Sequence, residues 1–204
     1  MPITFSTALA FALTSLLIEL TPGPNMTYLA LVGARAGRRA GYAAVIGVAL
    51  GLGLVGLAAA LGLAAVIAAS PLIYAGLKWA GVGYLLYLAW EAWRDSGPLG
   101  AVAMETDARF FVRGFITNLL NPKAAVFYIA ILPTFLDPDT PPAWQALALS
   151  AIYVLVASTV HAIIVTLASF LRPLLANKRV MAAAGKLFAF ALAGVALWLA
   201  WSTG

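Results

Sequence analysis

Six apolar segments fill most of this chain, and each is near or above the roughly twenty residues that an α-helix needs to cross the hydrocarbon of a bilayer. They run from about Ile3 to Val32, Gly41 to Ala69, Leu72 to Trp93, Phe110 to Leu136, Trp144 to Leu171 and Val180 to Trp201. The expected fold is therefore an all-α membrane protein of six transmembrane helices. Composition agrees, because 64% of the residues are hydrophobic and 9% charged, with a mean hydropathy of +1.00. A soluble fold of 204 residues could not hide that much apolar surface. The opening Met-Pro-Ile-Thr-Phe-Ser-Thr has no positive n-region. The apolar stretch behind it runs for roughly thirty residues, too long for a signal-peptide core. The first segment is read as a retained span.

Lys and Arg near span ends stay on the cytoplasmic side. Arg35, Arg38 and Arg39 follow the first span; Arg94, Arg109 and Arg113 lie between the third and fourth; Arg172, Lys178, Arg179 and Lys186 lie at the connection of the fifth and sixth. These are ten of the twelve basic residues. The connection at Ser70-Pro71 carries no charge and that at Asp137-Pro-Asp-Thr-Pro-Pro142 carries only acid, so both belong outside. Every alternate connection agrees, which places both termini outside. The pI of 9.7 is accounted for by this topology, and no basic stripe with interleaved aromatics points to nucleic acid.

Three spans on either side of the polar stretch Arg94 to Arg109 make two halves. An odd number of crossings in each means that they face opposite ways, an inverted repeat. The expected division is 1–96 for the first three-helix repeat, 97–108 for a cytoplasmic linker and 109–204 for the second repeat. An offset of one hundred residues brings Pro22 onto Pro122 and Tyr28 onto Tyr128.

Spans one and four are both interrupted, by Glu19-Leu-Thr-Pro-Gly-Pro-Asn25 and by Asn118-Leu-Leu-Asn-Pro-Lys-Ala124. Proline lacks the backbone N–H and clashes with the preceding turn, so Pro22 and Pro24 around Gly23, and Pro122 in span four, should unwind the helix at the midplane. Each proline also suits the first position of the helix that follows, with Thr21, Gly23 and Asn121 as candidate N-caps. Two half-helices would then present free N–H groups and positive dipole ends to the space between the repeats. Paired breaks of this kind are the best sequence pointer to the binding site of a secondary transporter. The structural alternative is that the prolines only shape helix packing.

Glu19 and Lys123 fall near the middle of their spans, where a charge costs several kcal/mol unless paired or hydrated. Functionally, Glu19 would carry a proton or bind an amine, and Lys123 would neutralise it or hold a substrate carboxylate. The alternative is a salt bridge that pins the two repeats together. His161, well inside span five, either relays a proton or bonds a backbone carbonyl. Lys78 and Lys186 lie close enough to span ends to snorkel, and Glu91 and Arg94 stand at the spacing of a local ion pair. Trp90, Trp93, Trp144, Trp198 and Trp201 read as interfacial anchors. The Gly47 to Gly51 spacing suits a homodimer face or an internal contact, and the abundance of Gly and Ala favours the internal one. With no cysteine and one histidine, disulfides, thiol relays and a typical zinc or iron site are excluded, and no cofactor is expected.

Thr21-Pro-Gly-Pro-Asn25, Leu77-Lys-Trp-Ala-Gly-Val-Gly-Tyr-Leu85 and Asn118-Leu-Leu-Asn-Pro-Lys-Ala124 stand in the order seen in the LysE/RhtB family of bacterial amino-acid exporters, which this chain resembles over nearly its whole length. The resemblance implies efflux of amino acids or close derivatives across the bacterial inner membrane, driven by protons. By position it implies that Pro22, Gly23, Pro24, Asn25, Asn118, Asn121, Pro122 and Lys123 line or shape the pathway, with Lys78 and Tyr84 in the third-span signature. Some relatives carry a small polar residue in place of Glu19 and some an acidic one near the position of His161. A non-transporting membrane scaffold or assembly partner is the competing class. An enzyme ranks below both, since no triad or metal cluster is visible.

Overall fold

A computed structural model describes residues 3–21, 23–62, 70–94, 106–171 and 178–202. Every element among the described residues is helical: α1 (Phe5–Glu19), α2 (Pro24–Ala36), α3 (Arg38–Ala60), α4 (Pro71–Arg94), α5 (Asp107–Leu119), α6 (Pro122–Val126), α7 (Pro142–Ser169) and α8 (Lys178–Ser202). Of these, α3 and α7 are each long and apolar enough to cross a membrane alone. Two bent pairs qualify when each is taken as one span: α1 with α2, turned by 66°, and α5 with Lys123–Phe135, turned by 51°. The expected interruptions are therefore real bends at the expected places. Pro22 and the end of the second apolar segment lie outside the described residues.

The breaks have local causes. The α1 helix ends at Glu19, and α2 restarts at Gly23, whose extended backbone (φ −164°, ψ −180°) forms the N-cap with Pro24 following it. Thr21, the other candidate cap, turns its hydroxyl back to the Leu17 carbonyl at 3.4 Å. In the second break Asn121 is the N-cap, its side chain accepting the Lys123 N–H at 3.0 Å with Pro122 following. Beyond α6 the chain widens into a π turn over Phe127–Ile131, closed by the Leu132 N–H on the Phe127 carbonyl, and tightens into a 3-10 turn over Leu132–Phe135. Pro133 has no N–H to continue an α-helical ladder, which explains the irregular backbone there.

Inward-facing residues follow the helical period. On α1 they are Phe11, Ser15 and Glu19, four apart on one stripe, while Leu9, Leu13 and Leu17 on the other faces are exposed. The same holds across the bundle: Leu155 is 68% exposed, Phe190 65% and Leu197 64%. Such a continuous apolar exterior is the mark of a surface covered by lipid rather than water. Trp144 and Trp201, two of the expected anchors, are also exposed, whereas the Trp198 side chain lies outside the described residues. Arg94 stacks over Trp90 at 4.6 Å, and the side chains of Glu91 and Lys78 lie outside the described residues.

The α3 helix packs along α5 and α7, and α7 also carries α1 and α2. Glycine makes the first of these contacts possible. A Cβ on Gly47 would strike the Phe111 carbonyl, one on Gly114 would strike the Ala44 carbonyl, and one on Gly51 would lie 2.8 Å from Asn118 Nδ2. The Gly47 to Gly51 face is thus an internal contact. Arg39 pairs with Asp107 at 2.7 Å and Arg38 Nε donates to Ser169 Oγ at 3.0 Å, so the starts of α3 and α5 and the end of α7 gather at one end of the bundle.

Candidate functional site

The two breaks meet. The Lys123 ammonium donates to the Thr21 carbonyl at 2.8 Å, and its Cδ would lie 3.4 Å from a Cβ placed on Gly23. Lys123 therefore sits against the gap between α1 and α2, where the carbonyl end of one half-helix gives a cation its favourable partner. A few residues on, Asn25 Nδ2 donates to Asn118 Oδ1 at 2.9 Å, a hydrogen bond buried between the two interrupted segments. Asn25 Oδ1 and Asn118 Nδ2 have no further hydrogen bond among the described residues. Of the sequence-predicted residues, Thr21, Gly23, Asn25, Asn118, Asn121 and Lys123 are brought to this junction. Pro24 and Pro122 begin the helices that lead away from it.

The Glu19–Lys123 salt bridge, the alternative reading of these two residues, does not form. The Glu19 carboxylate is buried, with Oε2 3.2 Å from His161 Nε2 and Oε1 accepting the Tyr153 hydroxyl at 2.7 Å. Each partner is on α7. Glu19 ends α1, the negative end of that helix dipole, where a carboxylate is disfavoured unless a donor or cation meets it; Tyr153 supplies the donor and His161 Nε2 faces the second oxygen. The alternative for His161, a bond to a backbone carbonyl, is likewise replaced by the carboxylate.

A cavity of about 210 Å³ opens beside the second break, lined by Asn118, Asn121 and Tyr128 with apolar residues of α3 such as Leu54 and Ala58. A second, of about 240 Å³, shares Ala59, Tyr128 and Ile129 with it and reaches Gly62, Leu136 and Pro142. Those residues lie past the end of α3 opposite Arg39, so the two spaces lead from the junction toward one end of the bundle. The sequence leads one to expect N–H groups and dipole ends facing the space between the repeats; the walls of these two cavities are mostly apolar.

Interrupted spans that meet through Lys123 and Asn118 carry the sequence signatures of one family, and the comparisons agree. The model of the LysE type translocator matches residues 16–203. This chain belongs to the LysE type translocator family. It is similar to the homoserine/homoserine lactone efflux protein of Salmonella typhimurium, 32% identical over 199 residues, covering 95% of this chain and 97% of that protein. The leucine efflux protein of Salmonella choleraesuis is 32% identical over 131 residues, 62% of each chain. An uncharacterized membrane protein of Pseudomonas aeruginosa is 35% identical over 136 residues, 63% of each. No solved structure matches. The family is one of membrane translocators, not of enzymes.

Two residues beside this candidate site are not among those that the sequence singles out for it. Tyr153 stands eight positions before His161, two helical turns along one face, and that spacing is the signal that could have found it. Tyr128 is visible only through the hundred-residue offset. Its hydroxyl donates to the Leu52 carbonyl at 3.0 Å, and Tyr28 donates weakly to the Phe110 carbonyl at 3.5 Å, so each member of the offset pair reaches a backbone carbonyl on the other side of the chain's midpoint.

Proposed function

We propose that this translocator exports a small amino acid or a close derivative across the bacterial inner membrane in exchange for protons. In this reading the chain forms six spans in two inverted repeats of three, residues 1–96 and 109–204, joined by a cytoplasmic linker at 97–108, with both termini outside. The observation on which it rests is the Lys123 ammonium held on the Thr21 carbonyl at 2.8 Å, between the ends of two half-helices.

An α-amino acid is a short zwitterion. The first break opposes the carbonyl end of α1 to the amide end of α2, partial charges of opposite sign a few residues apart. No side chain caps the α2 N-terminus, so its first-turn N–H groups, together with Lys123, suit a substrate carboxylate. Thr21, Pro22, Gly23, Pro24 and Asn25 shape this end of the slot; Asn118, Asn121 and Pro122 shape the other. Glu19 and His161 are the proton-carrying pair. One repeat rocking against the other would break and remake the Lys123 and Asn25 contacts. The efflux proteins to which the chain is similar act, by name, on homoserine, its lactone or leucine, which supports an uncharged side chain.

Counterflow in proteoliposomes loaded with a panel of amino acids tests the proposal. The expected result is exchange of one or a few uncharged amino acids, lost in Lys123→Ala. Absence of exchange across the whole panel would refute it.

A further inference from the structure

The Glu19 carboxylate spends its two oxygens on separate partners, Oε1 on the Tyr153 hydroxyl at 2.7 Å and Oε2 opposite His161 Nε2 at 3.2 Å. Both come from one face of α7. The Tyr153 ring is itself fixed, stacked on Phe127 with centroids 3.8 Å apart and planes 16° from parallel. Its hydroxyl therefore has one direction to point. A glutamate at the end of a helix has three side-chain torsions, and two other polar side chains of this region are rival partners for it: Lys123 on α6, held at the same break, and Tyr128 on the π turn, whose ring lies 5.5 Å from that of Tyr153. Both of these are committed elsewhere, Lys123 to the Thr21 carbonyl at 2.8 Å and Tyr128 to the Leu52 carbonyl at 3.0 Å.

We propose that Tyr153 is a positioning residue for proton coupling: by holding one carboxylate oxygen it keeps the other on His161, so that Glu19 and His161 share a single proton and act as one acceptor. This rests on the exporter reading. The step is one proton added to or lost from the pair, with one O–H or N–H bond made or broken and no other bond changed. Neither imidazole nitrogen of His161 makes a hydrogen bond among the described residues; Nε2 faces the Glu19 carboxylate at 3.2 Å, which leaves Nδ1 as the atom through which the proton can enter or leave. A hydrogen bond to a charged acceptor is about twice as strong as one to a neutral acceptor. Protonation of Glu19 thus weakens the Tyr153 link from α1 to α7, and the broken end of α1 is freed to move.

The chain has one histidine, so the imidazole signals of ¹⁵N-histidine-labelled protein report His161 alone. Tyr153→Phe removes the hydroxyl and keeps the stacked ring. The expected result is a His161 titration midpoint displaced from wild type by about half a pH unit or more, the scale of one hydrogen bond. In the Glu19→Gln background the same change at position 153 should leave the midpoint unmoved. In proteoliposomes the pH profile of proton-driven transport should shift in Tyr153→Phe, while the counterflow KM stays within about twofold, since the hydroxyl touches the carboxylate and not the substrate. If Tyr153→Phe does not fold, Glu19→Asp, one methylene too short to bridge both partners, supplies the displaced midpoint instead. An unchanged midpoint in the folded variant overturns the proposal, as does an equal shift with and without Glu19. Spectra recorded without substrate stand apart from the counterflow panel, so failure to transport and failure of Tyr153 to position the pair are told apart.

Discussion

Lys123 and Glu19 come from different helix interruptions and answer to different partners, which separates the tasks they would perform. Lys123, on the Thr21 carbonyl, is placed for the substrate; Glu19, on Tyr153 and His161, is placed for the proton. Lys123→Ala should reduce counterflow by about a hundredfold, the scale for loss of a charge-assisted contact. Glu19→Gln should keep counterflow, which moves no net proton, and lose uptake driven by an acid liposome interior. Equal loss of both activities in both variants would contradict the division. The Asn25 to Asn118 hydrogen bond should show a coupling of about 1 kcal/mol in a double-alanine cycle read by thermal unfolding in detergent. Zero coupling would mean that the junction is not held there.

The elements differ in how much of them the sequence declares. Helix existence follows from apolar length, and the two bends follow from Pro24 at N1 of α2 and Pro122 at N1 of α6, because proline's missing N–H acts locally. Asn121 as a cap follows equally from its neighbours. The partner of Glu19 does not, since it lies on a helix more than a hundred residues away and is chosen by how α7 rotates against α1. The same limit applies to the cavity walls, where α3 brings Leu54 and Ala58 beside the second break. Glycine is intermediate: the Gly47 to Gly51 spacing indicates a close crossing, and only packing names Phe111 as the backbone it approaches. Gly47→Ala should destabilise by about 2 kcal/mol through overpacking. Gly53→Ala, where a Cβ meets nothing within 4 Å, should be neutral or slightly stabilising. Equal thermal shifts in the two would show that the α3 to α5 approach is not close.

At the scale of the whole molecule, Arg39 meets Asp107 and Arg38 meets Ser169 at one end of the bundle, and the linked cavities run to the opposite end, past Gly62 and Pro142. The central claim is that the two interruptions together form the place where substrate is held. The chain contains no cysteine, so Thr21→Cys introduces a single thiol at an exposed position of the first break and keeps the backbone carbonyl that Lys123 uses. The rate of maleimide labelling at that position, in proteoliposomes with and without the amino acid found by counterflow, is the most direct measurement. Labelling should slow severalfold when substrate is present, and the labelled protein should lose counterflow. Labelling at the same rate with and without substrate, with transport intact afterwards, would contradict the account.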